Sequence, residues 1–562
     1  MNRLIHVATT AAALMFAAAA QAAAPGITGP TFNLVAGDGF INQPDGNQVY
    51  TWGYGCNGAP AGFAPTMPNQ GCPNMQIPAP TLIVHENDTV TVTLKNSLPA
   101  AAGNTSILFP GFTLTSVCPV GQQGLLACEA PPGGTVTYTF AASSPGTRAY
   151  YSGTQGDLQV EMGLYGAVIV LPASVPTACT TGLHAANLTA ESHWRETDFR
   201  LSPAAYDHAK TCYDREYLFQ FSEMDLNIHR QALAQVTALG ACTAGAVGCK
   251  LEVPTEPYHP GYFLINGRSM PDDMDPNYDA PYPHQPYNGN PHMHPGEQVL
   301  LRVIGQGRWE HPFHEHANHV RILARDGNLI LTPDGTTLAG NLFFTTDTFP
   351  GQAFDGLFYF SGRGLNWDMF GHHPGSADPL ASLGCTPDAN GYNTGFPATD
   401  TTFSTTPVAA TVQAVNFWEW CQDHNKPLEV NPFGDVASGG PATLPAPNIF
   451  TNGAWYGGTP YFGPDAALRA DSTLRNDANG GGLSGCVTGN TILTAPAGTN
   501  PTPNCTNLQP ANTQANPANE RGWAFMWHSH NEREITTNNV FPGGMLMMML
   551  VDSREFVIDE SQ

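Results

Sequence analysis

The chain has 562 residues, long enough for several domains, and 21 Lys+Arg against 46 Asp+Glu give a formal net charge of −25. That balance argues against nucleic acid and anionic lipid as partners, because both need clustered cations. Charged residues are only 12% of the chain, while 59 Gly and 49 Pro favour strands and ordered loops over long amphipathic helices.

The first segment reads as a leader. Met1-Asn2-Arg3 is a short basic start, an apolar, alanine-rich stretch runs from Ala8 to Ala19, and Ala20-Gln21-Ala22 is a small-residue cleavage site. Residues 1–22 are expected to be a secretory signal peptide, directing the chain to the periplasm or out of the cell. No later segment is apolar enough to span a membrane. Strand signals follow: Thr81–Val84, a turn at Asn87-Asp88, Thr89–Leu94, and a buried strand within Gly163–Val170. These predict an all-β unit over 23–175, then a connector over 176–214. A second set of strands, Glu216–Phe221, Gly261–Gly267, Gln298–Ile304, Phe354–Phe360, Trp523–His528 and Met545–Val551, predicts a second unit over 215–562. The run of methionines in the last strand reads as core packing.

Between 365 and 520 the strand pattern gives way to Pro, Gly, Asn and Thr, with four cysteines. A structureless loop of that size is unusual in a compact domain. The stretch is read as an insertion pinned by disulfides, a third small domain being the alternative. The twelve cysteines form no C-x-x-C pair, which argues against a zinc ribbon or thioredoxin-type site. An even count in an exported chain reads as disulfides; sequence neighbours are natural pairs, although sequence alone does not fix connectivity.

Two histidine clusters carry the chemistry: His311-Pro312-Phe313-His314-Glu315-His316 and Trp527-His528-Ser529-His530, the latter followed by Glu534 and Met545. Residues two apart on a strand share a face, so His314 pairs with His316 and His528 with His530. If the two strands are neighbours, four imidazoles converge, a good ligand set for copper, zinc, iron or nickel. The middle residues Glu315 and Ser529 point to the opposite face, where Glu315, Ser529, His311 and Glu534 are expected to form a hydrogen-bond network, a second, hard-ligand metal site being the alternative. His292-Met293-His294 and His372-His373 read as exposed loop histidines.

At these motifs the chain resembles the multicopper oxidases. Ala79–Val84 with Asn87–Val90 resembles the family's first-domain opening, and Gly163-Leu164-Tyr165-Gly166 its close. Ile265-Asn266-Gly267-Arg268 and Pro350-Gly351-Gln352 with Asp355 resemble later landmarks. His311–His316 resembles the H-P-x-H-x-H motif, and His528-Ser529-His530 with Gly544-Met545 the H-C-H motif and its axial methionine. The resemblance implies tandem cupredoxin-like Greek-key β-sandwiches, the insertion lying in the second. It also implies a type 1 copper that feeds a trinuclear cluster. By position, His314, His316, His528 and His530 match cluster ligands and His311 a type 1 ligand. Ser529 stands where the type 1 cysteine belongs and Glu534 where the second type 1 histidine belongs, while Met545 follows at a longer spacing. In the first domain, Leu108 and Pro110 replace one histidine pair, and Tyr151 and Gly153 the other.

A serine hydroxyl cannot replace the thiolate that gives a type 1 site its covalency. Four imidazoles suit one or two ions, copper first, zinc or another transition metal as alternatives. These losses argue against ordinary four-copper laccase activity. Three functions remain in view: a metal-dependent oxidoreductase without type 1 copper, a non-enzymatic copper-binding or buffering protein, and a structural or adhesive protein on an oxidase scaffold. Fold alone does not choose among them.

Overall fold

The computed structural model describes residues 24–181, 184, 198–294, 297–360, 522–552 and 558, together with short strands at 459–461, 484–485 and 502–503. The expected signal peptide, most of the 365–520 stretch, His372-His373, Cys385, Cys421, Cys486 and Cys505 lie outside the described residues.

The first sandwich is built from β1 (Gly26–Thr28), β2 (Thr31–Asn42), β3 (Gln48–Cys56), β4 (Phe63–Ala64), β5 (Leu82–His85), β6 (Thr89–Asn96), β7 (Thr135–Ala141), β8 (Gly146–Tyr151) and β9 (Tyr165–Leu171), with a short helix α1 (Gly156–Gln159) between the last two. One sheet runs β4-β1-β5-β9-β8 and the other β3-β2-β6-β7. β6 alternates, with Val90, Val92 and Leu94 buried and Thr89 exposed, because only one of its faces meets a core. β9 is buried along its whole length. Its second face is covered by the other sandwich: Ile83, Ala149, Ala167 and Ile169 pack with Leu218, Ile304 and Ala353.

The second sandwich contains β10 (Arg215–Met224), β11 (Tyr262–Ile265), β12 (His292–Met293), β13 (Gln298–Gly305), β14 (His311–Glu315), β15 (Val320–Arg325), β16 (Asn328–Leu329), β17 (Leu342–Phe343), β18 (Thr345–Thr348) and β19 (Ala353–Tyr359). The strands β20 (Thr459–Tyr461), β21 (Ser484–Gly485), β22 (Thr502–Pro503), β23 (Gly522–Ser529) and β24 (Leu546–Asp552) follow. One sheet runs β11-β10-β13-β19-β15-β16 with β17 on β15. The facing sheet runs β12-β24-β23-β14-β18 with β20 on β23, while β21 pairs only β22. The core between them is aromatic and methionine-rich: Phe219, Phe313, Phe358, Trp527, Met545, Met547 and Met549 are all buried there. The strands are thus where the sequence places them, and the chain is all-β: two tandem cupredoxin-like sandwiches.

Composition did not anticipate helix α2 (Leu226–Leu239), which leaves β10 and crosses to the first sandwich. Asp225 caps it by accepting from Asn227 N at 2.8 Å. Ile228 and Ala232, four residues apart, bury one stripe in the first core, where Tyr258 joins them. Sequence neighbours pair in all four described disulfides: Cys56–Cys72, Cys118–Cys128, Cys179–Cys212 and Cys242–Cys249. Among the described residues no helix is long and apolar enough to cross a membrane.

Glycines set one close approach. In the β2–β3 register Gly37 faces Gly53 and Val35 faces Gly55. The segment around Pro73–Ile77 lies directly on that face, with Cys56 N donating to Pro73 O at 2.8 Å. A Cβ on Gly53 would sit 2.4 Å from Gln76 O. Gly53→Ala is therefore expected to destabilise the protein by about 1–3 kcal/mol, the usual cost of overpacking. Urea unfolding should show a lower midpoint with an unchanged slope; an unchanged midpoint would mean the segment yields freely.

Candidate metal centre

The two histidine strands are neighbours. β14 and β23 pair antiparallel with Phe313 opposite Ser529, His314 opposite His528 and Glu315 opposite Trp527. Burial along β14 alternates, His311, Phe313 and Glu315 being inside. Phe313 and Trp527 meet edge-on at 6.0 Å in the core, which turns His314 and His528 outward together. His316 N donates to Met526 O and His530 N to Pro312 O, extending the pairing past both strand ends.

On the outer face four imidazoles gather. One ring nitrogen from each of His314, His316 and His528 lies within 4.8 Å of the others. The His528 and His316 Nε2 atoms are 3.3 Å apart. The exposed His530 ring centres 5.1 Å from His314 and 5.4 Å from His528. His528 Nδ1 lies 2.7 Å from Ser529 O. A carbonyl only accepts, so Nδ1 carries the proton and Nε2 keeps its lone pair. His314 Nδ1 is 2.9 Å from Thr345 Oγ1. Burial, then the neighbouring His316, lowers the His314 pKa to about 4, and burial lowers that of His528. A neutral imidazole whose Nδ1 is held by the protein, leaving Nε2 free, is the form that binds a metal ion. The donor set fits copper or zinc.

The inner face is different. His311 does not join the four: its Nδ1 is 2.8 Å from Glu534 Oε2 and its Nε2 3.0 Å from Glu223 Oε2. Ser529 Oγ donates to Glu534 Oε2 at 2.5 Å, and Asn531 Nδ2 to Glu534 Oε1 at 2.8 Å. Glu223 Oε1 accepts from Arg308 N, Trp309 N and the Tyr258 hydroxyl. His311, Ser529 and Glu534 are fully buried, and Glu223 is 1% exposed. Burial works to lower the His311 pKa, yet the two glutamates together hold it at about 9. With both nitrogens protonated toward carboxylates, the ring offers no lone pair to a metal. Glu223, on β10, was missed from the sequence because it belongs to no histidine motif and reaches the pocket only through the sandwich.

Two expectations need correction. Glu315 is not part of this network: Phe313 stands between it and His311 on the strand, and its partner is Thr346 Oγ1 at 2.9 Å. Burial raises its pKa well above that of an ordinary glutamate. His292 and His294 are not exposed loop residues but buried, His292 on β12 beside β24. Met545 is buried in the core and touches the pocket through its backbone, accepting from Ser529 N at 3.0 Å and donating to Glu534 O at 2.8 Å. In the first sandwich Leu108 and Tyr151 bridge each other, and a Cβ on Gly153 would lie 2.8 Å from Leu108 Cγ.

Residues 69–174 match a family model described as multicopper oxidase. Over 94 residues, 16% of this chain and 20% of the relative, the chain is 36% identical to laccase-3 of Botryotinia fuckeliana. Over 98 residues it is 38% identical to L-ascorbate oxidase of Brassica rapa subsp. pekinensis, covering 17% of this chain and 16% of that enzyme. Over 97 residues it is 36% identical to copper resistance protein A of Escherichia coli, again 17% of this chain and 15% of the relative. The matched stretch thus spans a fifth or less of each of these relatives. Among solved structures, the blue copper oxidase from Nitrosomonas europaea aligns at 20% identity and a TM-score of 0.37, over 58% of this chain and 74% of that one.

The inner network sets a pH dependence. His311 has a folded pKa raised to about 9, above its ordinary value of 6.5. Its stabilisation is complete below about 6.5 and is lost as pH rises through about 9. Thermal unfolding from pH 6 to 9.5 should show a falling midpoint that flattens in His311→Gln. Equal slopes in both proteins would mean that His311 is not held as an imidazolium.

Proposed function

We propose that this chain, whose residues 69–174 match a multicopper oxidase family model, is an exported copper-binding protein that holds one or two ions on His314, His316, His528 and His530 and has no type 1 copper. The observation that carries this reading is the convergence of three imidazole nitrogens within 4.8 Å, on the face opposite the carboxylate network. Copper bound to such imidazoles supplies a one-electron redox centre. The rest is the work of the chain's own residues. Ser529 O fixes the His528 tautomer and Thr345 Oγ1 steadies His314, so two nitrogens are presented without reorganisation. Beneath them the pocket offers the hard oxygens of Ser529 and Glu534 and a doubly bonded His311. The basic start, the alanine-rich stretch and the four disulfides support export.

The exposure of His530 favours a metal-dependent oxidoreductase over a sealed storage site, because an outside molecule can reach the ions. A buffering protein would instead hold copper without turnover.

Metal analysis of protein purified from its native compartment should find one or two coppers per chain. His528→Ala and His316→Ala should each lose most of that metal while keeping the wild-type circular dichroism. Unchanged metal content in both variants would remove the site assignment. A second expectation concerns the inner pocket. The copper-loaded wild type should lack intense visible sulfur-to-copper absorption, whereas Ser529→Cys with Glu534→His should gain it. A blue wild type would show that a thiolate reaches copper elsewhere.

A further inference from the structure

A cleft of about 410 Å³ opens between the two sandwiches, and none of the clustered histidines lines it. Its first wall is Tyr151 at the end of β8 and Leu108 bridged to it, with Leu126 and Val160; its second is Gly307 and Pro350. The volume falls within the range of small-molecule sites, which form preferentially where domains meet.

The polar groups at its rim are already engaged. Arg308 Nη1 donates to Thr255 O at 2.9 Å and Nη2 to Glu256 Oε1 at 2.7 Å, and its guanidinium lies 4.1 Å over the Tyr258 ring. Asp157 Oδ2 accepts from Thr255 Oγ1 at 2.8 Å. Gln306 is held by Gly166 O and Gln220 Oε1, both at 3.0 Å. The half-buried Tyr151 differs: its hydroxyl makes no hydrogen bond among the described residues and stands at the cleft wall, 3.1 Å from where a Gly351 Cβ would be. One unbonded hydroxyl in a mainly apolar wall, with the Arg308 guanidinium tied to Glu256 and the Asp157 carboxylate accepting from the Thr255 hydroxyl, suits an uncharged ligand.

A second observation points the same way. Leu126 belongs to the loop closed by Cys118–Cys128 and is 65% exposed, and its neighbour Leu125 is 93% exposed. Two adjacent leucines in water on a disulfide-pinned loop at the mouth of an apolar cleft are a cover without an occupant.

We propose that this cleft binds a small, uncharged, mainly apolar organic molecule of two or three rings, with one polar atom placed against the Tyr151 hydroxyl and the loop leucines closing over it. The site is separate from the histidine cluster and does not depend on metal there.

The test is fluorescence titration of the full chain with N-phenyl-1-naphthylamine, an uncharged probe that brightens in apolar surroundings. The wild type should bind it saturably at one site. Leu108→Trp should abolish that binding by filling the cleft. Leu126→Asp, an exposed position whose change leaves the core intact, should weaken it about ten-fold or more, so the answer stands even if Leu108→Trp misfolds. Tyr151→Phe should weaken it about five-fold, the worth of one hydrogen bond. Val120→Asp, 99% exposed on the same loop but outside the cleft lining, and His528→Ala should both bind as the wild type does. The proposal is overturned by an absence of saturable binding, or by binding that survives Leu126→Asp. Binding abolished by Val120→Asp would place the probe on the loop's outer surface, and binding abolished by His528→Ala would place it on the histidine face; either also overturns it.

Discussion

The register between β14 and β23 governs both faces of the candidate centre. Strand side chains alternate, so a slip of one residue would turn His314 and His528 into the core and put Phe313 and Trp527 in water. What holds the register is packing. Phe313 and Trp527 pack edge-on against Phe219 at 6.1 and 6.4 Å, and Phe358 meets Trp527 at 4.9 Å. Aromatic burial of that kind is far larger than any energy gained by bringing four imidazoles together. The histidine face is therefore placed by the hydrophobic core behind it, and it stands ready before any ion arrives.

The inner face obeys a different constraint. A buried charge must be paired and hydrogen-bonded, and deleting one partner strands the other. His311 is balanced by Glu534 on one side and Glu223 on the other, and each carboxylate has further donors. The chain of bonds continues from Glu223 through Tyr258 to Glu161, which accepts from Asp225 N at the start of α2. A pocket under the histidines is in this way tied to the segment that crosses onto the first sandwich. Tyr258 belongs to both systems, its ring in the first core and its hydroxyl between two glutamates.

Much of this was legible in the chain itself. The alternation in Thr89–Leu94, the unbroken apolar run of Gly163–Val170 and the two H-x-H pairs gave the strands, the two-sided burial of β9 and the shared face of the histidines. Ser529 and Glu534 could be placed together from their offsets to the histidine motif. Glu223 could not, because nothing in Gln220–Glu223 marks a carboxylate that will cross a sandwich to reach His311. Helix α2 was hidden by averaging: whole-chain composition favours strands, while its apolar stripe covers only fourteen residues. His292 and His294 were misplaced because Pro and Gly neighbours read as loop, whereas the parallel pairing of β12 with β24 is a long-range contact with no local signature.

Ser529 and Glu534 are chemically a matched pair. A thiol at 529 facing the Glu534 carboxylate would be a weak donor to a buried anion, and its thiolate would set two negative charges side by side. An imidazole at 534 facing Ser529 would leave His311 with one carboxylate and a second ring competing for it. Serine with glutamate avoids both: the hydroxyl donates, the carboxylate accepts from Ser529, Asn531 and His311 together, and Glu223 takes the other His311 nitrogen. Every polar atom of that group finds a partner without an ion, which a thiolate with two neutral imidazoles does not achieve. The inner pocket is satisfied by protons, which leaves the outer imidazoles as the metal-competent group among the described residues of the second sandwich.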